Sequence, residues 1–181
     1  MRPTALLAVF AIASVALLAV FGLIDPAWVA WVTGTEHPGY PLASSIDLVG
    51  LDGDTVTSDD LRGDILVLEF WATWCGPCIE EIDDYNALQE TYADAGVRVL
   101  GVAVRSGTAA SIEAFAREHD IRYPIIVGDD AVWQDFGPMW GVPTTLLIDR
   151  EWKVRRAWVG AGRSKIKALR ASLDALLAEE R

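Results

Sequence analysis

The chain has two cysteines, three residues apart in Cys75-Gly76-Pro77-Cys78. On one helical turn the two sulfurs lie close enough to close a small disulfide ring, and as a dithiol they can hand over two electrons. Before them runs Leu66-Val67-Leu68-Glu69-Phe70-Trp71-Ala72-Thr73-Trp74, apolar and β-like, and a helix-like run follows. A strand that delivers a thiol to a helix start favours the thiolate, because unpaired backbone N–H groups and the positive helix end both stabilise the anion. Three uses compete. A static disulfide across so short a loop is a poor staple, since short loops stabilise least. A zinc site needs four ligands, and beyond the two cysteines only the scattered His37 and His119 are on offer. Thiol–disulfide exchange suits the strand-to-helix setting best.

Glu69 interrupts the apolar strand six residues before Cys75. Strand alternation points it inward beneath the cysteines. An unpaired buried carboxylate is costly, so desolvation is expected to raise its pKa and suit it to pass a proton to or from Cys78. The alternative is an ion pair with a lysine or arginine at a strand end.

The elements that hold these residues follow from periodicity. Ile46–Val49 and Thr55–Thr57 flank Asp52-Gly53-Asp54 and predict a β-hairpin, followed by a helical turn at Ser58–Leu61 capped by Ser58. Ile65–Trp71 reads as a strand buried on both faces. Cys78–Ala95 carries an apolar helical stripe at Ile79, Ile82, Leu88 and Tyr92, and Gly96 ends it. Val97–Val104 is a second central strand. A helix over Ser111–His119, opened by Gly107-Thr108, has Ile112, Phe115 and Ala116 as its inner face, with His119 a surface residue at its end. Ile125–Val127 is a strand and Asp130–Phe136 a short helix. Thr144–Ile148 and Lys153–Val159 form an antiparallel pair around the turn Asp149–Glu151. An amphipathic helix over Arg163–Arg181 buries Ile166, Leu169, Leu173, Leu176 and Leu177. This order implies an α/β fold with a mixed central sheet sandwiched by helices.

Trp74-Cys75-Gly76-Pro77-Cys78 resembles the active-site motif of the thioredoxin superfamily. Gly141-Val142-Pro143-Thr144-Thr145 resembles its second signature, an apolar residue before a cis-proline that leads into a strand. The N-terminal apolar segment, the hairpin and the inserted strand–helix segment around Thr108–Asp130 resemble the TlpA/ResA-type branch of membrane-anchored thiol:disulfide oxidoreductases. The likeness runs from about Ile46 to the C-terminus. It implies a thioredoxin-like fold with Cys75 as the attacking thiolate, partly exposed, and Cys78 as the more buried resolving thiol. It further implies a cis Pro143 beside the sulfurs and a Val142 whose backbone receives an extended partner segment. Trp74 is either a wall of the site, with Gly76 and Pro77, or a packing residue. Glu69 stands where thioredoxins place a buried acid. Glu81 matches an acid that many TlpA/ResA-type proteins carry three residues after the second cysteine; a solvated glutamate in an acidic patch with Glu80, Asp83 and Asp84 is the alternative. Where the superfamily commonly has a helix-kinking proline this chain has Asp83, which predicts a straighter helix. No cofactor beyond the redox-active disulfide Cys75–Cys78 is implied.

Composition and the N-terminus say where this chemistry takes place. The 181 residues are 52% hydrophobic with a net charge of −11, and Met1–Thr35, with only Arg2 and Asp25, contributes none of it. So acidic a domain argues against nucleic acid, which needs a basic surface. Ala5–Ile24 is uncharged and, at about 1.5 Å per residue, just spans a bilayer core. It is longer than the roughly 7–15 apolar residues of a signal peptide, and Trp28 and Trp31 suit the membrane interface, which favours an uncleaved anchor over a cleaved signal. No Lys or Arg follows the span until Arg62, so the positive-inside rule expects the domain on the extracytoplasmic, periplasmic side. The expected organisation is an anchor over 1–33, a Pro/Gly/Ser-rich linker over 34–45 and a thioredoxin-like domain over 46–181.

Gly-Pro between the cysteines resembles thioredoxin, a reductant at about −270 mV. That implies a reductase recharged by a membrane electron donor and acting on disulfide-bearing extracytoplasmic proteins, of the cytochrome c or copper-centre maturation type. A dithiol oxidase or disulfide isomerase is the enzymatic alternative. A copper-binding chaperone is the non-enzymatic one, disfavoured because Met1 and Met139 are the sole methionines.

Overall fold

The computed structural model describes residues 40–42, 46–137 and 141–179. The expected anchor over 1–33 and most of the linker lie outside the described residues. No helix within those residues is long and apolar enough to cross a membrane.

The strands are β1 (Tyr40–Pro41), β2 (Asp47–Val49), β3 (Thr55–Thr57), β4 (Ile65–Trp71), β5 (Val97–Val104), β6 (Ile125–Gly128), β7 (Thr144–Ile148) and β8 (Lys153–Val159). The helices are α1 (Ser58–Leu61), α2 (Gly76–Ile79), α3 (Ile82–Tyr92), α4 (Ala109–Glu118), α5 (Asp130–Asp135) and α6 (Arg163–Glu179). The main sheet has the order β1-β8-β7-β4-β5-β6. β4, β5 and β6 run parallel, while β7, β8 and β1 are added antiparallel. β4 is central and buried at every position, as its unbroken apolar run requires.

Pleat alternation splits β4 between two cores. Leu66, Leu68 and Phe70 pack with Leu48, Leu61, Phe136 and Trp152 on the hairpin side. Ile65 and Val67 pack on the other side against Tyr85 and Leu88 of α3 and Leu169, Leu173 and Leu176 of α6. Glu69 shares the parity of this second set and so enters the layer beneath α3 and α6. The β2–β3 hairpin forms its own two-stranded sheet and is tied to the edge of the main one, with Leu51 N–H donating to the Ile125 carbonyl at 2.9 Å and Gly50 bridging Ile126.

Two local expectations are corrected. The cap of α1 is Thr57, not Ser58. Thr57 Oγ1 accepts the Asp60 N–H at 3.3 Å and Asp60 Oδ2 accepts the Thr57 N–H at 3.0 Å, a capping box. Ser58 is buried, and its Oγ accepts the Ile46 N–H at 3.2 Å, fastening the start of the hairpin. The helix expected over Cys78–Ala95 is broken rather than straight. α2 ends at Ile79 and α3 begins at Ile82, followed by a 3₁₀ turn at Ala93–Ala95 and Gly96 at φ 75°. Glu81, at φ −100° and ψ −3°, sends its N–H back to Cys78 O at 3.2 Å, a three-residue step. Its buried carboxylate is held by α6, so a side chain drawn into the core marks the break where a proline was the feature looked for.

Candidate active site

The turn after β4 is held by the end of β5. Thr73 N–H donates to Ser106 Oγ at 3.1 Å, and the Trp74 indole N–H donates to the Arg105 carbonyl at 3.1 Å. This seats Cys75 as the N-cap residue of α2, with its Sγ accepting the Cys78 N–H at 3.3 Å. Because α2 is one turn long before the break, the anion-stabilising group at Cys75 is this nearby amide more than a long helix dipole. Cys75 and Cys78 form a disulfide with a Cα–Cα distance of 5.3 Å. Cys75 is less open than expected, 5% exposed against 2% for Cys78, because it is bonded to Cys78 and packed in an apolar cluster with Trp71, Ala103 and Ile112.

Around the buried sulfurs the rim is open. Gly76 and Pro77 are exposed, and Trp74 is 64% exposed, which rules out a plain packing role for its ring. The second signature closes the other side. The Val142–Pro143 bond is cis, as the motif implies, Pro143 is buried, and Val142 packs partly exposed against the cluster that contains both cysteines. Thr144 Oγ1 donates to Gly141 O at 2.7 Å, and Gly160 N–H donates to Pro143 O at 2.8 Å, so the turn is pinned on both sides.

Glu69 is buried, 1% exposed, with Oε2 accepting the Tyr123 hydroxyl at 3.3 Å and Oε1 lacking any hydrogen-bond partner. Burial raises its pKa from 4.5 to about 8, with Lys165 pulling it back down and Glu81 pushing it further up. Burial also pushes the Tyr123 phenol well up, so that hydroxyl remains a donor. The strand-end ion pair considered for Glu69 does not form among the described residues. The buried cation belongs to Glu81 instead: Lys165 Nζ lies 2.5 Å from Glu81 Oε2, and Gly162 N–H donates to Glu81 Oε1 at 2.8 Å. Glu81 is therefore buried and paired, not solvated.

Four participants escaped the sequence reading. Tyr85 hydrogen-bonds Thr145 Oγ1 through its hydroxyl at 2.6 Å, and Lys165 Nζ reaches the same oxygen at 3.3 Å. Tyr123 completes the set. Tyr85, three residues after Ile82 and three before Leu88, sits on the same helical stripe, and Lys165, four before Leu169, does too. Spacing therefore carried a signal for both, Thr145 lay within the second signature without a role of its own, and nothing local marks Tyr123.

Residues 41–157 match the model of the AhpC/TSA family. The chain is 32% identical over 136 residues to the thioredoxin-like protein YneN of Bacillus subtilis, covering 73% of this chain and 78% of that one. It is 33% identical over 132 residues to the thiol-disulfide oxidoreductase ResA of Geobacillus thermodenitrificans, covering 72% and 71%. Among solved structures, a DsbF homologue from Corynebacterium diphtheriae superposes with a TM-score of 0.67 at 29% identity, over 77% of this chain and 88% of that one. A peroxidase reading of the family match finds no lone cysteine here, since both cysteines are joined in one turn. With its redox pair at Cys75 and Cys78 on a thioredoxin-like sheet, the chain belongs to the AhpC/TSA family as a thiol-disulfide oxidoreductase of the ResA/DsbE type.

Proposed function

We propose that this chain is an extracytoplasmic reductase of protein disulfides, tethered by its N-terminal apolar segment and recharged by a membrane electron donor. Its partners are disulfide-bearing proteins of the cytochrome c or copper-centre maturation type. The observation that supports the chemistry is the Cys75–Cys78 disulfide just past the end of the strand that carries Glu69, a buried acid with a single hydrogen-bond partner and a pKa raised to about 8. In the forward direction the Cys75 thiolate attacks the partner disulfide, a mixed disulfide forms, and one partner thiolate leaves and takes up a proton. Glu69 then accepts the Cys78 proton, and the Cys78 thiolate attacks Cys75 Sγ. The second partner sulfur leaves as a thiolate and takes up a proton, and Cys75–Cys78 is oxidised, so two electrons and two protons pass to the partner. Val142 receives the partner chain, and Trp74, Gly76 and Pro77 form the surface it meets. The Gly-Pro dipeptide supports the reducing direction.

Cys78→Ser tests the assignment. Expressed in membranes, it is expected to accumulate a mixed disulfide through Cys75 that dithiothreitol releases, with partner proteins identified by mass spectrometry. Absence of such adducts, or a Cys75–Cys78 potential near the roughly −120 mV of a strong oxidant, overturns the reductase reading.

A further inference from the structure

Three elements converge on one buried ammonium. Lys165, in the first turn of α6, is 7% exposed and the one buried lysine or arginine among the described residues. Its Nζ is 2.5 Å from Glu81 Oε2 at the α2–α3 break, 3.3 Å from Thr145 Oγ1 on β7, and 5.5 Å from the Tyr85 ring centroid on α3. Glu81 follows Cys78 by three residues, and Thr145 follows Pro143 by two. Thr145 is also the register partner of Glu69 across β4–β7. A buried ammonium is costly unless it is paired and hydrogen-bonded, and here it is both.

The two acids are served unequally. Both Glu81 oxygens have partners, from Lys165 and the Gly162 N–H. Glu69 has Tyr123 on one oxygen and nothing on the other. We propose that Lys165 is a positioning residue of the exchange site: it commits Glu81 to an ion pair and sets a fixed positive charge behind Thr145, leaving Glu69 as the buried acid that trades a proton with the resolving thiol. The inference rests on Cys75 and Cys78 being the exchange pair.

Charge counting gives the consequence. With Lys165 present, the set Glu69, Glu81 and Lys165 is neutral when Glu69 holds its proton and carries one negative charge when it does not. Without Lys165 each state gains a negative charge, and ionising Glu69 becomes harder. Lys165 attracts the Glu69 charge and Glu81 repels it. The other titratable groups facing Glu69 are Tyr123 from the loop before β6 and Tyr85 from α3. In the oxidised protein the cysteines do not titrate, which isolates this electrostatic set.

The test is a carbon-13 carboxyl NMR titration of Glu69 in the oxidised protein, with Glu69→Gln assigning the signal. Lys165→Met is expected to raise the Glu69 midpoint by about one pH unit or more. Lys165→Met with Glu81→Gln, which removes both members of the pair, returns it toward the wild-type value. Should Lys165→Met not fold, Glu81→Gln alone decides, because the freed ammonium must lower the Glu69 midpoint. A Glu69 midpoint that stays put in a folded Lys165→Met or Glu81→Gln protein overturns the proposal. In the reduced protein, the pH at which mixed-disulfide resolution is half-maximal is expected to move with the midpoint; a moved midpoint with an unmoved resolution profile also overturns it. Because the titration needs no activity, a protein that fails to exchange disulfides at all sinks the exchange reading while the NMR result still stands.

Discussion

Gly101 is the parallel-register partner of Glu69 across β4–β5, and a Cβ placed on it would lie 2.7 Å from Tyr123 Cε2 and 2.8 Å from Trp71 Nε1. Both rings therefore close over this position, beside the acid, because it has no side chain.

Gly101→Ala is expected to force one ring away. Neither neighbour is the loose end of a flexible chain, so the overpacking costs about 1–3 kcal/mol. If Tyr123 is the ring that moves, Glu69 loses its sole hydrogen bond, and its titration midpoint rises because that bond lowers it. Urea unfolding together with the Glu69 titration measures both effects. A variant as stable as the parent would show that the rings can part at no cost.

Glu69→Gln separates the acid from the rest of the pH dependence. The folded-state pKa is raised from 4.5 to about 8, so the folded protein keeps a proton that the unfolded chain has already released. The contribution to stability is full below about pH 4.5 and is lost as pH rises through about 8, a swing on the order of a few kcal/mol. Relative to Glu69→Gln, the oxidised parent is expected to lose stability steadily from pH 5 to pH 9. Urea midpoints measured across that range test it, and parallel curves for the two proteins would refute a raised Glu69.

Trp74→Ala probes the rim. The indole is largely exposed and gives one hydrogen bond to Arg105 O, so stability is expected to fall by no more than about 1 kcal/mol. Reduction of a folded protein disulfide is expected to slow severalfold, while reduction of a small disulfide such as oxidised glutathione stays near the parental rate. Equal slowing of both would place Trp74 in the chemistry rather than in partner contact.

Much of this site could be read directly from the chain, and the reason is locality. The cysteine pair and the strand before it are each contained in a few consecutive residues, so spacing and residue type define them, and the cis-proline turn was implied by the resemblance of Gly141–Thr145 to a family signature. Glu69 stood out because an acid in an unbroken apolar strand has no solvent to face. What escaped is what comes together across the sequence. Tyr123 reaches Glu69 over 54 residues, and Lys165 reaches Glu81 over 84. A lysine on an amphipathic helix is ordinarily a solvent residue, and only its buried acid partner makes the inward position tolerable. The helix break escaped for the same reason, since Lys165, which holds the Glu81 carboxylate at the break, lies on α6. Gly101 did leave a trace, as an isolated glycine inside an apolar strand signals a close approach.

The margins of the sheet bear on self-association. β1 lines one edge through Tyr40 and Pro41, and Pro41 has no N–H to offer a further strand. At the other edge the hairpin lies across β6 through Gly50 and Leu51. Exposed edges recruit other chains into β-aggregates, and these two are blunted by the missing N–H of Pro41 and by the crossing hairpin.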